Sequence, residues 1–258
     1  MVTAPGAQEL LAPPAWRTVD CISDLHLQPS ATPTFDAWRA YMDGVDTGAL
    51  FILGDLFEAW VGDDATSEPG FDADCAAILA RTAQRLPVFL MHGNRDFLMG
   101  AALARETGLV LLPDPTVLQF GAHRWLLTHG DALCLEDTDY FVFRDKVRSP
   151  RWQSDFLAQP LAQRQAIARG LRAESEGYKR GDRHYPDVDG PAALEWLRAA
   201  DARAMVHGHT HRPADHALDA THRRIVLSDW DADARPPRLQ ALRIDRDGGA
   251  RRVPLAAA

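Results

Sequence analysis

Five short polar motifs follow apolar segments along the chain, and this arrangement constrains the fold more than any other feature of the sequence. The motifs are Asp24-Leu25-His26, Gly54-Asp55, Gly93-Asn94-Arg95-Asp96, His129-Gly130-Asp131 and His207-Gly208-His209. In an α/β sheet, ligands gather at the carboxyl ends of the strands. The pattern therefore predicts a single site to which several strand ends contribute.

Short apolar or β-branched runs between turn residues indicate the strands, and apolar residues at helical spacing indicate the helices. We predict strands at Thr18–Ile22, Ala49–Leu53, Val88–Met91, Arg124–Thr128, Ala204–His207, Arg224–Leu227 and Leu239–Ile244, with a short pair near Leu109–Leu112 and Thr116–Gln119. We predict helices at Phe35–Asp43, Asp72–Arg85, Phe97–Glu106 and Pro191–Ala200. Strand and helix alternate in the first half, which favours parallel pairing, whereas closely spaced strands in the second half favour an antiparallel part. The fold class is α/β (α+β), with a mixed β-sandwich flanked by helices.

The domain organisation follows from where this pattern is interrupted. Residues 1–15, rich in Ala and Pro, predict a flexible N-terminal tail, and residues 16–258 form the domain. A segment at about 138–186 predicts several helices without a strand, which indicates a helical insertion. Its part 140–185 holds ten basic and five acidic residues in a chain of net charge −8. The excess basic side chains either form a solvated helical face or contact phosphates or lipid headgroups. They include Arg164, Arg169 and Arg172.

Composition narrows the class of protein. None of the apolar runs in the 258 residues reaches the ~18 residues that a membrane-spanning helix needs, and the N-terminus does not resemble a signal peptide. Three cysteines without a paired motif indicate buried thiols and a cytoplasmic location. The negative net charge argues against nucleic-acid binding, and no obligate protein partner is predicted.

The motifs supply seven candidate metal ligands, in which carboxylate and amide oxygens are mixed with imidazoles. They are Asp24, His26, Asp55, Asn94, His129, His207 and His209. This donor set suits two borderline divalent cations such as Mn²⁺, Fe²⁺ or Zn²⁺. Two such ions can clamp the attacking and leaving oxygens of a phosphoryl transfer. Each motif alone is more often an ordinary turn, and it is their joint occurrence after strands that favours a metal site.

Neighbouring residues receive supporting roles. We interpret Asp131 and Asp96 as acceptors that orient His129 and Arg95. His211 follows His209 by two residues and is a candidate for lining the same pocket. The remaining histidines lack ligand spacing and are interpreted as structural or exposed.

From Val19 to about Asp229 the order of motifs resembles the calcineurin-like metallophosphoesterases. The resemblance implies a four-layered fold with a dinuclear metal site on a β-sandwich. A Gly-Asn-His-Asp motif is common in that family, and here Arg95 stands in place of its histidine.

Longer strings at 23–27, 52–60, 92–98 and 207–213 resemble the branch of this family that cleaves UDP-linked diacylated glucosamine in lipid A biosynthesis. That resemblance implies two ions, most simply Mn²⁺, and a location at the lipid surface on the cytoplasmic face of the inner membrane. It also implies an insertion that holds acyl chains, although its aromatic and aliphatic residues can equally pack on the sheet. The alternatives are a phosphodiesterase or nucleotide pyrophosphatase of the same family with a soluble substrate, and a non-catalytic scaffold.

The resemblance also implies individual roles. Asp24, His26, Asp55 and His209 would hold one ion, and Asp55, Asn94, His129 and His207 the other, with Asp55 as the bridge. Asn94 and Arg95 would be catalytic. The substrate contacts would be Asn94, Arg95, Asp137, Ser175, Lys179 and His207, with Arg180 and Arg183 as further candidates in the insertion.

Overall fold

The computed structural model describes residues 6–179 and 186–256, with side chains through Arg172 and again from residue 186. The strands are β1 (Gln8–Leu11), β2 (Thr18–Ile22), β3 (Leu50–Leu53), β4 (Val88–Met91), β5 (Val110–Leu112), β6 (Thr116–Phe120), β7 (His123–Leu127), β8 (Ala204–His207), β9 (Asp215–Ala217), β10 (Arg223–Val226), β11 (Gln240–Asp245) and β12 (Ala250–Pro254). The helices are α1 (Thr32–Gly44), α2 (Phe71–Ala83), α3 (Ala101–Thr107), α4 (Thr138–Val147), α5 (Pro150–Leu157), α6 (Leu161–Lys179) and α7 (Gly190–Ala199), with short 3₁₀ helices at Asp63–Thr66 and Asp131–Leu133.

Two mixed sheets face each other. The first has the order β12-β11-β2-β3-β4-β5 and the second the order β1-β6-β7-β8-β10-β9. Strands β2 to β5 run parallel because each is connected to the next through a helix or a long loop, and β11 joins β2 antiparallel. In the second sheet β7, β8 and β10 are parallel. The predicted mixture of parallel and antiparallel pairing is confirmed.

Alternation along the buried strands produces a four-layered core. In β3, Leu50 and Ile52 pack with α1 and α2 on the outer face of the first sheet, whereas Phe51 and Leu53 point between the sheets. Helix α7 covers the outer face of the second sheet, where Trp196 packs in a third cluster. The layers are therefore helices, sheet, sheet and helix, as the fold class predicted.

The N-terminal segment corrects one expectation. Residues 1–15 were expected to form a flexible tail, but Gln8–Leu11 is the edge strand β1, paired in parallel with β6 from Gln8↔Thr116 to Leu11↔Gln119. The prediction is wrong there because the sequence Gln-Glu-Leu-Leu has no strand pattern of its own. Its strand conformation comes from pairing with β6, which is distant in sequence.

Helix α3 begins at Ala101, four residues later than predicted from Phe97. The carboxylate of Asp63, far away in sequence, accepts hydrogen bonds from the backbone N–H groups of Gly100, Ala102 and Leu103 at 2.8–3.0 Å. An acceptor at these free N–H groups fixes the start of a helix.

Three consecutive helices, α4 to α6, follow the 3₁₀ helix at Asp131–Leu133 and extend to Lys179. Arg164 of α6 is only 2% exposed and contacts Asp64 and the backbone oxygen of Val61, so its interpretation as a lipid contact is wrong. Arg172 contacts Glu58, whereas Arg169 is exposed. Among the described residues, we find no helix with the length and apolar character needed to cross a membrane.

Candidate metal centre

The loops that follow β2, β3, β4, β7 and β8 carry the predicted ligands and meet at one end of the sandwich. Several ligand residues adopt the left-handed backbone conformation that non-glycine residues seldom adopt. Asp24 has φ 55°, His26 49°, Asp55 51° and His209 67°. The loops after β2, β3 and β8 therefore turn sharply at the ligand residues themselves.

Two groups of donor atoms lie close enough together to hold a cation. One consists of Asp24, His26 and His211, and the other of Asp24, Asp55 and His129, with donor atoms within 4.8 Å of one another in each group. Asp24 belongs to both groups. His211, whose role the sequence left open, is thus part of the centre, and its spacing of two from His209 was the signal for it.

The protonation of these donors fits divalent cations, which bind carboxylates and neutral imidazoles. Burial lowers the pKa of His26 to about 3 and that of His209 to about 4, so both rings are neutral at pH 7. Burial by itself would raise the pKa of Asp24, but a hydrogen bond from His211 and its charge hold that pKa well below the usual range. Asp24, His26 and His209 therefore offer their ligand forms at neutral pH.

His129 shows the excess of negative charge at this centre. Burial opposes its protonation, yet Asp55, Asp24 and Asp131 raise its pKa to about 9. Its Nδ1 lies 2.9 Å from the carbonyl oxygen of Leu53, which assigns the proton to Nδ1 and leaves Nε2 for the centre. A cation bound here would take over the charge balance that the proton on His129 otherwise provides.

Asn94 and His209 complete the cluster. The amide oxygen of Asn94 lies 3.1 Å from Nε2 of His129 and 2.9 Å from Nδ1 of His209. The backbone N–H of His209 donates to the carboxylate of Asp24 at 2.9 Å and 3.0 Å. The predicted ligands His129, Asn94, His209 and Asp24 are therefore linked by a continuous series of contacts.

His207 is the predicted ligand that the structure does not bring into this cluster. Its Nδ1 lies 2.9 Å from the carbonyl oxygen of Gly208 and its Nε2 lies 3.3 Å from Nη1 of Arg224. Burial lowers its pKa to about 4. The guanidinium of Arg224 is in turn held by Asp187, and no sequence pattern indicated this arrangement.

Two glycines allow the ligand loops to pass very close to each other. A Cβ added at Gly93 would overlap the side chain and backbone of Asp55, and one added at Gly208 would overlap Asp24 and Ser23. Only a residue without a side chain permits this approach. These glycines are therefore part of the construction of the site.

Arg95 extends from this cluster toward solvent, with 18% of its side chain exposed. Its backbone N–H donates to Asp55 at 2.9 Å, and its Nη1 lies 2.7 Å from Oε1 of Glu58. The predicted catalytic pair Asn94 and Arg95 is thus at the centre. Glu58 was not predicted, although it lies within the string 52–60 that carried the family resemblance.

The two acceptor assignments are wrong. Asp131 does not orient His129; its Oδ2 accepts from the hydroxyl of Tyr140 and from Nε of Arg144 at 2.8 Å, which fastens α4. Asp96 does not contact the Arg95 side chain. It accepts from the backbone N–H groups of Leu56 and Gly93, each at 2.8 Å, and so holds the two ligand loops.

The predicted substrate contacts of the insertion are only partly described. Asp137 is half-buried and caps α4 by accepting from the backbone N–H of Tyr140 at 3.1 Å. The side chains of Ser175 and Lys179, and residues Arg180 and Arg183 altogether, lie outside the described residues.

Apolar side chains of the insertion divide into two sets. Phe156 is buried, and Trp152, Leu161 and Ile167 pack beside it on the hydrophobic core that covers the outer face of the first sheet. The exposed set consists of Val142, Phe143, Leu157 and Leu171, with 37–73% of each residue accessible. Packing on the body therefore accounts for the first set only.

The geometry agrees with what sequence comparison shows. The family model of the calcineurin-like phosphoesterases matches residues 17–213. The chain therefore belongs to the calcineurin-like phosphoesterase family, and the class of enzyme is a metal-dependent hydrolase, as the motifs indicated.

Several relatives of the chain carry a more particular name. The chain is 45% identical over 235 residues to the UDP-2,3-diacylglucosamine hydrolase of Bordetella pertussis, covering 88% of this chain and 91% of that one. It is 46% identical over 244 residues to the protein of the same name from Chromobacterium violaceum, covering 91% and 97%. The Xanthomonas axonopodis protein of that name is 45% identical, with 89% and 96% covered.

Proposed function

We propose that the chain hydrolyses the diphosphate bond of UDP-2,3-diacylglucosamine to give UMP and 2,3-diacylglucosamine 1-phosphate, a step of lipid A biosynthesis. The observation that carries the proposal is the 44–46% identity to hydrolases of that name over nearly their whole length. The cluster of carboxylates, imidazoles and the Asn94 amide supports it chemically.

Two divalent cations, proposed to be Mn²⁺, would be held by Asp24, His26, Asp55, Asn94, His129, His209 and His207 after a reorientation of its ring. Such ions, when bound, generate a nucleophile from water near neutral pH and withdraw charge from the phosphoryl group. His129 presents Nε2 because the carbonyl of Leu53 holds its Nδ1–H.

The role proposed for Arg95 is to stabilise the transition state. Its guanidinium projects from the cluster beside Asp55 and is partly exposed, so an incoming phosphate can reach it. A well-placed donor of this kind contributes ~3–4 kcal/mol toward the developing charge. The leaving group departs as a phosphate anion, so little is gained from a general acid, and an arginine in place of the family's histidine is consistent with that.

The exposed apolar residues of the insertion support an acylated substrate. Val142, Phe143, Leu157 and Leu171 account for four of the six large exposed hydrophobic residues among those described. We assign them to the acyl chains or to the adjoining lipid, with the protein peripheral on the cytoplasmic face of the inner membrane. Asp137, Ser175 and Lys179 are the proposed contacts to the sugar and its phosphate.

The deciding experiment compares substrates. Purified protein with Mn²⁺ is incubated with UDP-2,3-diacylglucosamine, with non-acylated UDP-glucosamine and with a simple phosphodiester. We expect hydrolysis of the acylated compound to exceed the others by at least ten-fold in kcat/KM. If the soluble compounds were hydrolysed as fast as the acylated one, the protein would instead be a phosphodiesterase or nucleotide pyrophosphatase of the same family. Asp24→Asn serves as the inactive control, and His123→Ala, a change at the far end of β7, as the active one.

A further inference from the structure

The carboxylate of Glu58 lies between the metal centre and the helical insertion. Only 8% of the residue is exposed, and it lies in the loop after β3. Its Oε2 lies 2.9 Å from Nδ1 of His26, and its Oε1 lies 2.7 Å from Nη1 of Arg95 and contacts Arg172 of α6. One buried side chain thus touches a metal-ligand candidate, the proposed phosphate contact and the insertion.

The two nitrogens of His26 face different partners. Nε2 lies 3.1 Å from Nε2 of His211, and these two histidines form one donor group with Asp24. Nδ1 is buried on the opposite edge of the ring with Glu58 within hydrogen-bond distance, although its N–H is not aligned with the oxygen in this structure. A carboxylate at the second nitrogen of a ligating histidine fixes both its tautomer and its orientation.

The insertion reaches Glu58 by two contacts from one side chain, one to its carboxylate and one to its backbone. Arg172 contacts the Oε1 atom of Glu58 through Nη2 and donates from Nη1 to the backbone oxygen of Glu58 at 3.1 Å. Helix α6 is also fastened at its other end, where Arg164 contacts Asp64. Among the described side chains of α6, Arg172 joins the helix to the metal centre through Glu58.

We propose that Glu58 is a positioning residue that holds His26 with Nε2 directed at the cation and, through Arg172, couples the position of helix α6 to the metal centre. Glutamate is required because the role needs two acceptor oxygens, one for the imidazole N–H and one for the guanidiniums. Glutamine has one acceptor oxygen and would turn an NH₂ group toward either the histidine or the arginines. The inference rests on the proposed function only in treating the cluster as a metal site.

The test uses Glu58→Gln and Arg172→Gln. The matched controls are Glu195→Gln in α7 and Arg169→Gln in α6, at two exposed residues. Three readouts are measured on the whole chain: the ¹⁵N imidazole spectrum of His26 in the metal-free protein, the Mn²⁺ affinity, and amide hydrogen exchange across 161–172.

Glu58→Gln is expected to change the His26 tautomer, to weaken Mn²⁺ binding about 10- to 100-fold, and to speed exchange in α6. Arg172→Gln is expected to speed exchange in α6 while leaving the His26 tautomer as it was. In the double variant the exchange should be no faster than in the faster single variant, because both changes break one link. The controls should match wild type in all three.

An unchanged tautomer and unchanged Mn²⁺ affinity in Glu58→Gln would overturn the proposal and leave the residue a merely structural role. If that variant does not fold, Arg172→Gln decides alone: normal exchange in α6 refutes the coupling. None of the readouts requires turnover, so a protein that fails to cleave the proposed substrate would refute the proposed function without affecting this test.

Discussion

Arg164 of the insertion and Asp64 of the body form a two-pronged ion pair: Nη1 of the arginine lies 2.9 Å from Oδ1, and Nη2 contacts Oδ2. The arginine is 2% exposed and also donates to the carbonyl oxygens of Val61 and Gln159. Because groups of the protein accept from all three guanidinium nitrogens of Arg164, this side chain fastens α6 to the rest of the domain.

We therefore expect Arg164→Gln to destabilise the protein by about 1–3 kcal/mol. This is less than the 3–5 kcal/mol for a fully buried pair, because 54% of the Asp64 side chain is exposed. Arg169→Gln, five residues along the same helix, should change the free energy of unfolding by less than ~0.5 kcal/mol. Urea denaturation of both variants measures the difference, and equal midpoints would contradict the assignment.

The shared donors make metal content a sharp test. Asp24 belongs to both donor groups in the structure, and the family resemblance makes Asp55 the bridge. Asp24→Ala and Asp55→Ala should each retain fewer than two ions per chain after dialysis, whereas His123→Ala should retain both. Metal analysis of the three variants provides the measurement. If Asp55→Ala retained two ions while Asp24→Ala did not, the bridging role would belong to Asp24 instead.

A methyl group at Gly93 is expected to damage the site although every metal-ligand residue keeps its identity. Its Cβ would overlap Asp55, so Gly93→Ala should lower Mn²⁺ affinity at least ten-fold and reduce stability. Gly170, within α6, has nothing within 4 Å of an added Cβ, and Gly170→Ala should stabilise the protein by about 0.5–1 kcal/mol. Calorimetry on both variants separates crowding from a general effect of alanine.

Acid should weaken the metal-free protein through its buried neutral histidines. Burial lowers the pKa of His207 to about 4, below the 6.5 of the unfolded chain, so between these values the unfolded state binds the extra proton and stability falls as pH falls. Burial raises the pKa of Asp96 to about 7, which acts in the opposite direction. The effect is therefore measured by comparing two proteins. In urea unfolding with a chelator present, the free energy of unfolding should fall less between pH 6.5 and 4.5 for His207→Gln than for wild type.

The position of bond cleavage is tested by isotope. If water attacks the uridine-side phosphorus, hydrolysis in ¹⁸O-water labels UMP and leaves the sugar phosphate unlabelled, as mass spectrometry can measure. Label in the sugar phosphate would reverse the substrate orientation.

The sequence was most informative where local pattern and position coincide. The runs of β2, β3, β4 and β8 are buried along nearly their whole length and end in polar turns, so both the strands and the ligand loops could be predicted. The side-chain direction of His207 could not, because it depends on Arg224, which Asp187 holds from another part of the chain. The burial of Arg164 escaped prediction for the same reason, since its partner Asp64 is a hundred positions away.

The left-handed turns at Asp24, His26, Asp55, His209 and His211 have an evolutionary consequence. Each holds a side chain of full size in a conformation that costs of order 1–3 kcal/mol, which glycine would adopt freely. If selection acted on thermal stability alone, random substitution would therefore tend to place glycine at these positions. Five donor side chains at such positions are what selection for chemistry, rather than for stability alone, would leave there.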